Sequence, residues 1–192
     1  AMSRRRNVLV NWRLRYARLG WHTFLVHGIK EGGLCDCGDA KCRAVGKHPR
    51  RSGKLRGATI DESAIRSEGR FETSNIGLHL GLSNLVVIDI DPRNGGNDTI
   101  KALERKYGRL DSAIISDTGG GGEHRFFCAP PDMQALPSTL GPGVDVLSGN
   151  KYPVLPPSPH RSGKEYRWRG RHEPFYKMFL LTYPPSWVYT IR

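Results

Sequence analysis

Apolar residues recur along the chain first at the spacing of a helix and then at that of strands. Four of them stand three or four positions apart near the N-terminus: Leu9, Trp12, Tyr16 and Leu19. Gly20 follows directly, and a glycine after the last turn commonly ends a helix. The pattern therefore predicts an amphipathic helix over residues 8–19, and the next apolar run predicts a strand over residues 21–26.

Short apolar runs further along the chain predict most of a sheet. The predicted strands cover residues 76–80, 85–90, 113–117, 124–128, 144–147 and 152–155. Turn residues predict one hairpin across 81–84, whose second strand is central, and another across Gly149 and Asn150. A glycine-rich turn joins the strands at 113–117 and 124–128. We therefore expect an α+β chain that is rich in antiparallel sheet.

Other sequence patterns predict helices before, between and after these strands. Thr59 followed by Glu62 has the spacing of a capping box and predicts a short helix there. Asn97 is the predicted cap of a longer helix that stops at Gly108. A last helix is predicted at 175–181 in the proline-rich tail.

No such periodicity extends over residues 28–57, a long segment that needs another source of order. It contains three cysteines and a histidine in the pattern Cys-x-Cys-x4-Cys-x5-His: Cys35, Cys37, Cys42 and His48. Three thiolates and an imidazole make a complete tetrahedral set for a structural zinc ion, which would fold this loop. The alternative is a solvated loop of reduced cysteines. Cys128 stands alone in a strand pattern and is expected to be a small buried side chain.

The net charge of the chain indicates which class of molecule it binds. The formal net charge is +12 and the sequence pI about 9.9, which favours a polyanion as partner. The chain has no run of the roughly 18 apolar residues that a membrane span needs and no signal-peptide core, so we expect a cytoplasmic protein that binds nucleic acid rather than a membrane. Seven basic residues and no acidic one stand in one segment: Lys41, Arg43, Lys47, Arg50, Arg51, Lys54 and Arg56. The last five are the predicted contacts to DNA phosphates.

Asp89 and Asp91 stand two positions apart in the predicted central strand, so they project from one face about 6.6 Å apart. Carboxylates this close repel each other, and divalent cations relieve that repulsion. Asp145, between two apolar neighbours, is the best third ligand. Three carboxylates can hold two ions about 3.5 to 4 Å apart, as phosphoryl-transfer enzymes do. The alternative is that Asp89 and Asp91 only end a strand in a polar turn.

A run of glycines precedes Glu123 and His124. The run follows Thr118 and consists of four residues: Gly119, Gly120, Gly121 and Gly122. Without side chains, their backbone N–H groups can approach a phosphate and form an anion-binding nest, and His124 would donate to a triphosphate. No Gly-Lys-Ser or Gly-Lys-Thr follows, so this is not a Walker loop. The alternative is a flexible hairpin with a surface histidine.

The order of these motifs resembles the bifunctional primase-polymerase domain of the archaeo-eukaryotic primase superfamily, known from plasmid, phage and mobile-element replication proteins. The resemblance spans nearly the whole chain. Its marks are Cys35-Asp36-Cys37 with Cys42, Gly46-Lys47-His48-Pro49-Arg50, Ala58-Thr59-Ile60-Asp61, Val87-Ile88-Asp89-Ile90-Asp91-Pro92-Arg93, Thr118 through His124, Gly143-Val144-Asp145-Val146, Pro156-Pro157-Ser158-Pro159-His160, Ser162-Gly163 and Tyr166-Arg167-Trp168.

The resemblance implies a single catalytic domain over residues 1–192, with an RRM-like module packed on a smaller α/β module and a cleft between these two lobes. It implies that the three aspartates bind two Mg or Mn ions and that His124 contacts the triphosphate. It also implies that zinc is held by Cys35, Cys37, Cys42 and His48. Ser158 and His160 would line the same cleft. Relatives often carry serine where this chain has Gly122, so backbone N–H groups would substitute for that contact.

The implied activity is template-dependent nucleotidyl transfer by a DNA primase/polymerase that extends or synthesises primers. Its implied partners are a DNA template and primer, dNTP or NTP, and a helicase or a C-terminal helical priming domain. The chain stops at Arg192 without such a domain, which leaves initiation without a primer open.

Two other functions compete with this one. A zinc-stapled DNA-binding replication module would catalyse nothing, but such a module gains nothing from clustered carboxylates. A nuclease or nicking enzyme would also use metal and carboxylates, but the chain has no His-x-His pair and cutting a strand needs no triphosphate cradle.

Overall fold

The computed structural model describes residues 2–50, 54–68, 72–132, 135–170 and 173–191. The α-helices are α1 (Met2–Arg18), α2 (Glu62–Ser67), α3 (Gly96–Tyr107), α4 (Pro174–Lys177) and α5 (Trp187–Thr190). The strands are β1 (Thr23–Val26), β2 (Asn75–Leu78), β3 (Leu85–Ile90), β4 (Ile114–Asp117), β5 (Glu123–Cys128), β6 (Thr139–Gly141), β7 (Val144–Leu147), β8 (Val154–Leu155) and β9 (Arg167–Trp168). No helix within these ranges is long and apolar enough to cross a membrane.

The strands form two sheets, and every strand pair is antiparallel. The smaller sheet has the order β1-β2-β8, and the larger has the order β6-β7-β3-β5-β4-β9. The α+β class and the central position of β3 are therefore confirmed. Antiparallel neighbours also confirm the predicted pairing of β4 with β5 around the glycine turn, residues 118–122.

Both other predicted hairpins are wrong. β2 belongs to the smaller sheet and β3 to the larger, and β7 and β8 are divided in the same way. The two turns instead carry the chain from one sheet to the other, and they meet where the Gly81 N–H donates to the Gly149 carbonyl over 2.8 Å. A turn sequence of this kind fixes a change of direction but not the strand that receives the chain.

β3 is apolar on both faces because both faces of the larger sheet are covered. Leu85 and Val87 pack with the smaller sheet and α1, in a core that contains Tyr16 and Trp21. The alternate residues pack against α3 and the C-terminal segment, in a second core: Val86, Ile88 and Ile90. Asp89 is thus the polar exception on the face that carries Val87.

The predicted N-terminal helix is confirmed and begins earlier, at Met2. It is joined to both sheets by Tyr16, whose hydroxyl donates to the Pro156 carbonyl over 2.6 Å and accepts from Trp168 Nε1 over 3.0 Å. Burial raises the pKa of Tyr16 well above its usual value, so the hydroxyl stays protonated and can donate.

The predicted helix caps are shifted. Asp61 caps α2 through its Oδ1 and the Ala64 N–H, 2.9 Å apart, while Thr59 accepts from the Asp61 N–H. α3 follows Gly95, whose φ of 84° suits glycine, and Asn97 lies in its first turn. Gly108 does end α3. The predicted last helix is confirmed as α4, which continues as a 3-10 turn over Met178–Leu180.

Candidate active site and metal centre

Polar side chains form a row across four neighbouring strands of the larger sheet. Asp145 of β7 lies directly opposite Asp89 of β3, and Asp89 lies opposite His124 of β5. His124 in turn lies opposite Ser116 of β4. Since opposed residues of paired strands point to the same face, the four side chains lie side by side. We call Asp145, Asp89, His124 and Ser116 the cross-strand row.

The cross-strand row runs from solvent into the core. Asp145 is exposed, the Asp89 side chain is 34% exposed, and His124 and Ser116 are buried. His124 Nε2 lies 3.6 Å from Asp89 Oδ1, and His124 Nδ1 lies 3.4 Å from the Ser116 hydroxyl. Burial lowers the pKa of His124, although the charge of Asp89 opposes this. His124 is therefore neutral at pH 7, with Nδ1 beside the Ser116 hydroxyl and Nε2 beside Asp89.

Asp91 lies just beyond β3, and its carboxylate is held by its own chain. Oδ1 accepts from the Arg93 backbone N–H at 3.0 Å, and the Arg93 guanidinium donates to both carboxylate oxygens. Hydrogen bonding by the Arg93 side chain is the main cause that lowers the pKa of Asp91. Asp91 is thus ionised, but its oxygens already have partners.

The donor chemistry of the three aspartates fits Mg or Mn, which prefer carboxylate oxygens. Asp89 and Asp145 share one face, with Asp91 two residues beyond Asp89. Among the described residues, however, the three carboxylates do not bring ligand atoms within 4.8 Å of one another. A site shared by all three carboxylates therefore requires at least one of them to move.

The glycine turn uses half of its backbone donors internally. The Gly121 N–H donates to the Thr118 carbonyl, and the Gly122 N–H donates to the Thr118 hydroxyl, each over 3.0 Å. For Gly119 and Gly120, no backbone N–H bond occurs within the part of the chain that the structure describes. The predicted nest of four donors is thus reduced to two.

Two of these glycines are required by close packing. A Cβ at Gly122 would lie 2.3 Å from the Ile90 carbonyl oxygen, so a serine cannot occupy this position without moving β3. A Cβ at Gly119 would lie 2.1 Å from the Cβ of His160. Close packing therefore explains why this chain has Gly122 where relatives often carry serine. The hydroxyl beside His124 comes from Ser116 on the neighbouring strand.

His160 lies against the glycine turn, whereas Ser158 does not. His160 Nδ1 accepts from the Ser162 N–H at 3.2 Å, and the Ser162 hydroxyl donates to the Gly119 carbonyl at 2.6 Å. Burial and nearby cations lower the pKa of His160, so it is neutral and presents Nε2–H. Ser158 is fully buried, and its hydroxyl accepts from the Ile76 N–H, so its expected place in the cleft stays a prediction.

Tyr166 joins the two histidines. Its ring stacks on His124 at 6.0 Å between centroids and meets His160 edge-on at 5.9 Å. Burial strongly raises the pKa of Tyr166, and the charge of Asp89 adds to this, so the phenol stays neutral. Tyr166 therefore forms an uncharged floor between the cross-strand row and the glycine turn.

Lys47 brings the basic segment to this site. Its side chain is exposed, and its positive charge contributes to the lowered pKa values of Asp91, His124 and His160. Lys47 is therefore near enough for its charge to act on these three side chains, and its contact to DNA stays a prediction. Arg51 lies outside the described residues, as do the side chains of Lys54 and Arg56.

The predicted zinc ligands come together. Their ligand atoms lie within 4.8 Å of one another, and Cys35 Sγ lies 3.4 Å from His48 Nε2. Burial opposes ionisation of Cys35, but hydrogen bonds from the Gly46 and Cys37 backbones and from side chains lower its pKa to about 7. None of the four cysteines forms a disulfide. We call Cys35, Cys37, Cys42 and His48 the cysteine cluster, and its geometry and chemistry are compatible with zinc.

A second layer of polar residues supports the cysteine cluster. The His27 ring packs on His48 at 4.3 Å between centroids, and its Nδ1 lies 2.6 Å from Asp36 Oδ1. The Arg50 guanidinium donates to the other Asp36 oxygen and to Thr73. Arg50 is mostly buried and braces the loop, and its predicted contact to DNA stays a prediction.

One cavity adjoins the glycine turn, and a second lies beside His160. One of about 560 Å³ is lined by Asp117, Thr118, Gly121, Gly122, Gly163, Lys164, Glu165 and Arg167. Another of about 430 Å³ reaches His160 and Ser162 from the segment 29–33. A larger, more apolar cavity of about 640 Å³ lies apart from the cross-strand row, beside Leu82 and Tyr152.

Aspartates beside a neutral histidine and a glycine turn, in an α+β chain, are typical of an enzyme that binds nucleotides. The chain matches the family model "Bifunctional DNA primase/polymerase, N-terminal" over residues 13–179. It therefore belongs to the Prim-Pol family, which confirms the resemblance seen in the sequence. Membership implies a nucleotidyltransferase-type enzyme with DNA and nucleotide substrates. No curated protein sequence matches the chain.

Three residues at this site were not predicted from the sequence: Ser116, Arg93 and Tyr166. Ser116 becomes visible only through strand register, because it stands eight positions before His124. Arg93 and Tyr166 stand inside motifs that carried the resemblance, yet nothing in their spacing assigns them a contact.

Proposed function

We propose that this protein is a template-dependent nucleotidyltransferase that extends a primer on DNA from nucleoside triphosphates. The observation that carries the proposal is the cross-strand row: two opposed aspartates beside a neutral histidine, at the edge of a glycine turn. Family membership supports the reaction class. The RRM-like module and the two-lobed single domain remain part of this proposal.

Asp89, Asp145 and Asp91 would hold two divalent cations, Mg or Mn. When bound, such ions supply positive charge to the attacking primer hydroxyl and to the departing pyrophosphate. The protein's own contribution is to hold the carboxylates in position. Asp89 and Asp145 sit on central strands whose register is fixed by two cores, so their carboxylates are held without motion of a loop.

The triphosphate would lie against the glycine turn. Gly119 and Gly120 offer backbone N–H donors there, and His124 and His160 each offer a neutral Nε2–H. Lys47 adds a positive charge near both histidines. The imidazoles can donate hydrogen bonds to phosphate oxygens while burial keeps both uncharged, and the Lys47 ammonium offsets part of the phosphate charge.

The cysteine cluster would hold a structural zinc ion, because four protein ligands leave no open coordination position for chemistry. Zinc would order the basic segment and thereby place Lys47. DNA would then contact this segment, including Arg51, Lys54 and Arg56.

Asp89→Asn tests the proposal by primer extension with Mn, with dNTPs and NTPs supplied separately. The amide keeps the shape but removes the charge that holds a cation, so extension should fall by about a thousandfold or more. Asp111→Asn, at a 70% exposed aspartate outside the site, is the matched control and should retain activity. Retained extension in Asp89→Asn contradicts the proposal. Tight, salt-sensitive DNA binding without extension in the wild type would favour a non-catalytic binding module.

A further inference from the structure

The Asp91 carboxylate has four hydrogen-bond donors. Arg93 Nε donates to Oδ1 at 3.1 Å and Nη2 to Oδ2 at 2.9 Å, beside the Arg93 backbone N–H on Oδ1. Asn94 Nδ2 donates to Oδ2 at 3.1 Å. A divalent cation therefore has to displace donors before it can bind Asp91.

The Arg93 guanidinium also lies over the glycine turn. A Cβ built on Gly120 would lie 3.6 Å from Arg93 Cζ and Nη2, and 3.7 Å from His160 Cε1. One guanidinium thus reaches both a metal-binding carboxylate and the backbone of the proposed triphosphate site. The Arg93 side chain is 60% exposed, so it has room to change partner.

The planar fork of arginine binds carboxylate and phosphate with the same two-bond geometry. If a cation takes Asp91, the guanidinium loses its partner while it still lies over Gly120. A phosphate at the glycine turn can then replace the carboxylate with no loss of hydrogen bonds.

We propose that Arg93 is a handover residue: it neutralises Asp91 in the metal-free protein, yields Asp91 to the divalent cation, and then binds the triphosphate of the incoming nucleotide. This inference rests on the proposed function. It couples the two ligands, because the cation frees the arginine that the nucleotide needs.

The test compares Arg93→Gln with Arg109→Gln in the full chain. Arg109 forms a similar exposed pair with Asp111 outside the site and is the matched control. Mn²⁺ affinity without nucleotide is measured by electron paramagnetic resonance of the free ion. Affinity for dATP at saturating Mn²⁺, without DNA, is measured by equilibrium dialysis. Arg93→Lys, which keeps the charge but loses the fork, is a second variant.

Arg93→Gln should bind Mn²⁺ about threefold to tenfold more tightly and dATP about tenfold more weakly. Arg93→Lys should also weaken dATP binding, and Arg109→Gln should change neither affinity. Unchanged dATP affinity in both Arg93 variants would reduce Arg93 to a counter-ion and overturn the handover. Unchanged or weaker Mn²⁺ binding in Arg93→Gln would overturn it as well.

These outcomes separate the inference from the proposed function. If the wild-type protein extends primers but Arg93→Gln lacks the opposed shifts in Mn²⁺ and dATP affinity, the proposed function stands and only the handover is contradicted. A wild-type protein that binds no Mn²⁺ contradicts both.

Discussion

The cross-strand row and the cysteine cluster bring distant residues together in opposite ways. The row places Asp145 beside Asp89, 56 positions earlier in the sequence, through strand register between two apolar cores. The cysteine cluster gathers its ligands from a segment of 14 residues, 35–48, in which the structure has no helix and no strand of either sheet. The first arrangement depends on packing, and the second would depend on the zinc ion that we propose for it.

Removal of zinc should have the largest effect and should show most clearly how the two regions differ. A chelator should strip order from the loop but leave the sheets folded, because the sheets have their own cores. Hydrogen exchange measured by mass spectrometry should show amides at 28–50 losing protection while those of β3 keep theirs. DNA affinity should fall by about tenfold or more as the basic segment loses its position.

Cys42→Ser should reproduce this loss without chelator. Cys128→Ser is the matched control, since Cys128 contacts the Leu181 carbonyl far from the cysteine cluster in sequence and contributes no ligand to it. Unfolding of both sheets on zinc removal would show that the loop is part of the main core, and the contrast between the regions would be lost.

Gly122→Ser tests the packing side of the comparison with a smaller effect. Its Cβ would meet the Ile90 carbonyl at 2.3 Å, so β3 has to shift or the turn has to open. We expect a loss of about 2 to 3 kcal/mol in the free energy of unfolding, with weaker nucleotide binding. Denaturant unfolding and dATP binding measure the two effects.

Gly121→Ala is the comparison variant in the same turn. A Cβ at Gly121 meets nothing within 4 Å, and only its φ of 89° is unfavourable, so about 1 kcal/mol should be lost. Equal destabilisation by the two variants would contradict the close-packing explanation for Gly122.

Local patterns predicted the elements of this fold better than their partners. β3 was predictable because an apolar run between turn residues favours a buried strand. β5 was predictable from a shorter apolar run, Phe126 to Cys128, behind the glycine turn. The two false hairpins arose because Gly81 and Gly149 mark turns without stating which sheet follows. Pairing is a non-local property, decided by which cores the strands bury.

The candidate site was predictable to the same degree. Asp89, Asp91 and the cysteine cluster follow from spacing, because their chemistry depends on near neighbours in sequence. Ser116 beside His124 follows from strand register and could not be found that way. Ser158 was assigned to the cleft from the family resemblance and Arg50 to DNA from the basic segment. Neither pattern could show that the Ser158 hydroxyl accepts from the Ile76 N–H or that Arg50 donates to Asp36.

The position of bound manganese tests the central claim most directly. Crystals of the wild-type protein with Mn²⁺ and dATP, measured at the manganese absorption edge, should show anomalous density between the Asp89 and Asp145 carboxylates, with triphosphate density against Gly119 and Gly120. Manganese found only at other sites, with the cross-strand row bare, would contradict the claim that this row is the nucleotidyl-transfer site.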